Sequence, residues 1–196
     1  MRWQPAAGHI PRGWIGATSQ STSTVRLIIV AAEPGDPADG EQYDENLDAR
    51  SMLAEAAEFG YSHLMDTTLL RGGRPAPYHR NLRSIISLCW PDFDLQEQLA
   101  RTWITSAVLC SAPKSGGPVG AAIVRECVNR YLRPEIALMP DAYVLALGDK
   151  AANRLRSVGL IPNGQAQHPS ARPNTKPEGS WRTAAAAFRD WLGDRA

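Results

Sequence analysis

The run VRLIIVAA at residues 25–32 is almost continuously apolar and rich in β-branched side chains. Successive side chains of a strand point to opposite faces, so a run without polar alternation predicts a strand buried on both. WITSAVL at 103–109 and AYVLALG at 142–148 read the same way. Such strands need helices above and below them, and the intervening sequence supplies helical periodicity. Ala49, Met52, Leu53, Ala56 and Ala57 repeat at helical spacing, with Gly60 as the helix end. Leu82, Ile85, Ile86 and Cys89 mark a second apolar face, closed by Trp90-Pro91. Ile123, Cys127, Val128 and Tyr131 predict a third helix, followed by a short one from Pro134 to Met139. DKAANRLRSVG leaves the run at 142–148 as a helix with Gly159 after it, and Trp181, Ala184, Phe188 and Trp191 share one face of a terminal helix. A last, short strand is expected near Gln165–Gln167. Alternating strands and helices predict an α/β fold, a three-layer α/β/α sandwich around a short, mostly parallel sheet of about four strands. Residues 1–24, with Pro, Gly, Ser and Thr around scattered Trp3, Ile10 and Trp14, predict an irregular N-terminal arm before one domain spanning 25–196.

No apolar run approaches the ~18 residues of a membrane span, and the N-terminus lacks the apolar stretch of a signal peptide. The expectation is a cytoplasmic protein with no membrane partner. Three cysteines, Cys89, Cys110 and Cys127, form no even framework and read as small apolar residues in a reducing compartment. A net charge of +1 argues neither for nucleic acid nor against it. The basic residues are nearly all Arg, which suits bidentate phosphate contacts, although a biased gene composition produces the same excess. His9, His63 and His79 share no ligand spacing with each other or with cysteines and read as structural.

The loops carry the functional signal. Glu33-Pro34-Gly35 follows the first run, a glycine- and proline-rich loop at 110–117 follows the second, and Gly148-Asp149-Lys150 follows the third. AQHPSARPN at 166–174 brackets His168 and Ser170 with Pro169 and Pro173. All four loops leave the C-terminal ends of expected strands, which is the edge where open α/β sheets bind ligands.

In this order and spacing, the acid-Pro-Gly turn, the TSAVL strand, the VLALGDKAANRL segment and the HPS loop resemble the uracil-DNA glycosylase superfamily from about Val25 to Trp191. HPSARPN is most similar to the motif of the single-strand-selective monofunctional branch. VLALGDKAANRL is similar to the bacterial and archaeal iron–sulfur branch. The resemblance implies a DNA partner containing uracil or another damaged base, with base excision that leaves an abasic site. Such enzymes flip the nucleotide out of the stack, because the N-glycosidic bond is unreachable in a duplex. A carboxylate then positions water and stabilises a cation-like sugar, while a His hydrogen-bonds the departing base.

Carried over residue by residue, the resemblance makes Glu33 and His168 catalytic, with Asp36 as the alternative for positioning water. It puts Gly35, Tyr43 and Ser106 around the base. Gly35 stands where the main branch has a methyl-excluding Tyr, Tyr43 lies close to the family's base-stacking Phe, and Ser106 stands where most branches have Asn. Ser170 matches a phosphate-binding position and Arg172 the wedge. The iron–sulfur branch binds its cluster through four cysteines, but residues 1–88 hold none, so no metal and no cofactor are expected. No lysine is singled out as a strand-cleaving nucleophile, so the implied activity is monofunctional. Two other readings stay open. The first is a glycosylase-fold protein that binds uracil-containing or abasic DNA without turnover, motivated by Ser106 and the altered first turn. The second is an unrelated α/β nucleotide hydrolase, against which the missing P-loop counts.

Overall fold

The computed structural model describes residues 15–16, 22–35, 48–66, 70–71, 74–75, 77–109, 112, 117–170 and 177–195. Ile15–Gly16 form β1 and Leu27–Ala31 form β2. Ala49–Met65 form α1, and two short strands, β3 (Leu70–Arg71) and β4 (Arg74–Pro75), pair as a hairpin. Pro77–Cys89 form α2, Leu95–Ala100 α3 and Thr102–Ser106 β5. Ala121–Cys127 form α4, which runs through a π-helical turn at Val128–Leu132 into α5 (Arg133–Ala137). Tyr143–Leu147 form β6, Gly148–Ser157 α6, Gly164–Ala166 β7 and Glu178–Gly193 α7.

The main sheet has the order β1-β5-β2-β6-β7. The pairings β5–β2, β2–β6 and β6–β7 are parallel, and β1 adds an antiparallel edge against β5. The architecture is the expected three-layer α/β/α sandwich. The difference is at the arm: Ile15 registers with Ile104 and Gly16 with Trp103, so part of the segment read as irregular extends the sheet. Two residues are too few to show a period-2 pattern in the sequence.

The strands are buried on both faces for the expected reason. Ile28, Val30, Val144 and Ala146 meet Val124, Val128, Leu132, Ala151 and Leu155 on one face. Leu27, Ile29, Leu145 and Leu147 meet Leu64, Leu82, Ile86, Ala185 and Phe188 on the other. Thus α4, α5 and α6 form one outer layer, and α1, α2, α3 and α7 form the other.

Helix boundaries follow local chemistry. Asp48 caps α1 by accepting from the backbone N–H groups of Arg50 (2.8 Å) and Ser51 (3.0 Å). Gly60 does not end α1, which continues to Met65 and buries Leu64 completely. Burying a leucine is worth about 1.5–3 kcal/mol, more than the roughly 1 kcal/mol that an internal glycine costs. The side chains of Ala49, Met52, Leu53 and Ala56 lie outside the described set. Asp94 and Glu97 form a reciprocal capping box that starts α3. Gly159 follows α6 at φ +76°, a left-handed C-terminal cap. On α4 the expected face is displaced: Val124, Cys127, Val128 and Leu132 are buried, while Ile123 and Tyr131 are exposed. The π-turn between the two short helices makes them one run rather than two separate ones. Among the described residues, no helix is long and apolar enough to cross a membrane.

Candidate active site

Parallel pairing brings the C-terminal ends of β5, β2, β6 and β7 to one edge, in the spatial order Ser106, Glu33, Gly148, His168. Register ties them together: Ala31 pairs with Ser106, Val30 with Ala146, and Leu147 with Ala166. The chain leaves β2 toward the α1–α2 layer and leaves β6 into α6 on the opposite layer. The β2–β6 boundary is therefore a switch point, where α/β sheets open a crevice.

Glu33 sits at that boundary. Its side chain is only 6% exposed, and both carboxylate oxygens are engaged. Lys150 Nζ donates to Oε1 and Arg154 Nη1 donates to Oε2. The same Arg154 nitrogen donates to the Ala32 carbonyl at 2.6 Å, and Lys150 Nζ also donates to the Gly117 carbonyl at 2.7 Å. The two cations are i and i+4 on α6, so they lie on one helix face and close on the carboxylate together.

His168 is held on the far side of β6 from Glu33. Gln167 is fixed by α7, its N–H donating to Ser180 Oγ (2.9 Å) and its carbonyl accepting from Trp181 Nε1 (2.9 Å). Pro169 is buried, and its carbonyl accepts from Asn81 Nδ2 on α2 at 2.7 Å. Tyr78 packs its ring 5.7 Å from the imidazole, centroid to centroid. The Ser170 N–H donates to His168 Nδ1 at 3.1 Å. Nδ1 is then the acceptor, and the neutral ring carries its proton on Nε2. Burial pushes the His168 pKa below its ordinary 6.5; the Glu33 carboxylate pulls it up and the Lys150 ammonium pushes it down again. The net direction is down, so the ring is neutral at pH 7 and has one N–H to donate.

Gly148 makes this packing possible. Its φ is +84°, and a Cβ there would stand 3.1 Å from His168 Cβ. Only glycine combines that backbone conformation with so close an approach.

The expected site residues therefore fall into two groups. Glu33, Gly35, Ser106, His168 and Ser170 lie along one sheet edge. Ser106 is half-buried, Ser170 and Gly35 are exposed, and a Cβ at Gly35 would meet nothing within 4 Å. Tyr43, Arg172 and Asp36 lie outside the described residues. Lys150, Arg154 and Asn81 had been given no role. The signal for the first two was their i,i+4 spacing just after a strand-end turn. Asn81 lies 88 residues from its partner, a pairing no local pattern announces.

Cys89 and Cys127 are buried and free, and burial raises the Cys89 thiol to about 12, which makes it inert as a nucleophile. Among the described residues, no group of three or more His, Cys, Asp or Glu is arranged to hold a metal ion. No protein-family model matches this chain, and no curated protein matches it.

Proposed function

We propose that the chain is a monofunctional DNA glycosylase that hydrolyses the N-glycosidic bond of uracil or a related deaminated base. The observation that carries this reading is His168, held neutral with its proton on Nε2 and set across β6 from a clamped carboxylate. In the proposed reaction the electrons of the glycosidic bond leave with the base. The charge that develops on a base oxygen accepts a hydrogen bond from Nε2–H. A neutral donor serves this role without attracting other anions into the site. The Glu33 carboxylate faces the cation-like sugar, and each of its oxygens keeps a lone pair that can accept from water. Water attacks the anomeric carbon from that side, and the proton it loses passes to solvent while the departing base anion takes one up, so that free base and an abasic sugar remain. With Lys150 and Arg154 donating to its two oxygens, Glu33 acts by charge and water placement. The Ser170 hydroxyl supplies a phosphate contact.

One observation favours a second reading, a glycosylase-fold protein that binds uracil-containing or abasic DNA without turnover: both oxygens of Glu33 are already committed to Lys150 and Arg154. A panel of single- and double-stranded oligonucleotides carrying uracil, hypoxanthine or xanthine separates the two, with an abasic-site control. Base release from any of them supports the enzyme. Tight binding to uracil or abasic DNA without product supports the binding module.

Two expected outcomes follow from the geometry. The depressed His168 pKa means that the neutral ring, oriented by the Ser170 N–H donating to Nδ1, persists below pH 6.5, its ordinary value. The rate should stay level as pH falls through 6.5 and decline only in more acidic solution. The stability linkage has the same sign, being full above 6.5 and lost as pH falls through the lowered folded value. A pH–rate profile with its acidic limb centred at or above 6.5 contradicts this. Gly148→Ala should slow base release roughly tenfold to 100-fold, since small misplacement of a reacting group is costly. Gly159→Ala is the control. It has the same left-handed strain (φ +76°), but its Cβ would face only Arg133 Nη2 at 3.9 Å. It should lower the Tm and leave the rate alone; equal rate losses in both variants would assign the Gly148 effect to strain.

A further inference from the structure

We infer that the groove between α2 and the start of α7 is a track for the phosphate backbone of a nucleic-acid strand leaving the candidate active site. The groove has a volume of about 560 Å³ and is lined by Arg80, Arg83, Ser84, Ser87, Glu178 and Arg182, among others. Three guanidinium groups face one carboxylate, an excess of two positive charges in a chain whose total is +1, while the Ser84 and Ser87 hydroxyls already donate to the Arg80 carbonyl and Gln98 Oε1. Among the described residues, none of the three arginines forms an ion pair. Arg80 and Arg182 are exposed, and Arg83 is steadied by donating to the Met65 carbonyl at 3.2 Å. Guanidinium groups are donors that phosphodiesters take, and arginines without a carboxylate partner meet the least competition for them.

Position selects a nucleic acid over other polyanions. Asn81 and Trp181 line the groove, and both also hold the His168 loop, through the Pro169 and Gln167 carbonyls. A strand contacting Ser170 thus has its neighbouring phosphates delivered to this groove. The inference deepens the glycosylase reading and rests on it for the direction in which the strand runs.

The test measures binding of fluorescein-labelled, uracil-free single strands of about 30 and about 6 nucleotides across a salt series, independent of any base release. Losing two phosphate contacts lowers the slope of log K against log salt by about 1.4 for a single strand. Arg80→Gln/Arg182→Gln should lower it by that much on the long strand, weaken low-salt affinity about tenfold, and leave the short strand nearly unchanged. Arg182→Glu, a single exposed change, should weaken the long strand further than Arg182→Gln. Circular dichroism confirms that each variant is folded. An unchanged slope on the long strand overturns the inference. So does loss of binding to phosphatidylserine vesicles with oligonucleotide binding intact, which would assign the groove to a membrane surface. The two readings fail separately. A slope that falls in a protein that releases no base keeps the groove and removes the enzyme. A constant slope with base release from short uracil strands keeps the enzyme and removes the groove.

Discussion

If the chain acts as the proposed glycosylase, replacing His168 by Leu should lower base release from uracil-containing DNA by about 10²–10⁴-fold and leave the protein folded. The size follows from where the hydrogen bond forms. Ground-state uracil oxygen is a weak acceptor, and the departing base carries nearly a full charge, so the Nε2–H contact strengthens as the bond breaks. An interaction realised mainly in the transition state appears in kcat rather than in KM. Folding is spared because the ring is half-buried, neutral and packed against Tyr78, surroundings that a leucine also fits. Single-turnover base release, with circular dichroism as the folding check, measures both halves. Wild-type rates in folded His168→Leu protein would remove this residue from the chemistry.

Glu33→Gln should destabilise the protein and slow the proposed reaction, and the two effects can be pulled apart. In the folded protein, Lys150 and Arg154 converge on one buried carboxylate. Neutralising it leaves two cations facing each other. Breaking a buried pair from one side costs about 3–5 kcal/mol. Lys150 is 39% exposed and can turn toward water, so the lower end applies, with a Tm fall of roughly 6–12 °C in a chain of this size. Arg154 is 8% exposed and has no such escape. The double variant Glu33→Gln/Arg154→Met removes the stranded charge and should recover most of the Tm. It should not recover the rate, because the negative charge opposite the sugar is still missing. Recovery of both would make Glu33 a structural residue only, and Asp36 becomes the candidate for placing water.

What the sequence made readable was whatever rests on local patterns. The runs at 25–32, 103–109 and 142–148 became β2, β5 and β6 because a doubly covered strand is apolar at every position. Gly159 capped its helix as expected, since a left-handed C-terminal residue is a local requirement. Gly60 did not, because the burial of Leu64 outweighed it, and that burial is a tertiary fact. On α4 the buried face runs through Val124, Cys127, Val128 and Leu132, one residue round from the face through Ile123 and Tyr131, and which of two neighbouring apolar positions faces the sheet is set by packing. In the site, Glu33 and His168 could be found at strand ends. The partners that set their properties could not: Lys150 and Arg154 lie 117 and 121 residues from Glu33. The residues that perform the proposed chemistry were marked by loop composition. Those that tune it are known only once the strands are side by side.

That separation in sequence also has a consequence in time. A contact between residues 117 apart can form only after the intervening chain has been closed, and loop closure is an entropic cost met before the contact returns anything. The local pieces come first: the Asp48 cap, the α3 capping box, and hydrophobic pairing of neighbouring helices. The Glu33–Lys150–Arg154 clamp waits for β2 and β6 to align and for α6 to dock. It is expected on the late side of the folding barrier, where weakening it should speed unfolding more than it slows folding. The crevice should then take its shape late in folding, when one buried carboxylate meets its two partners.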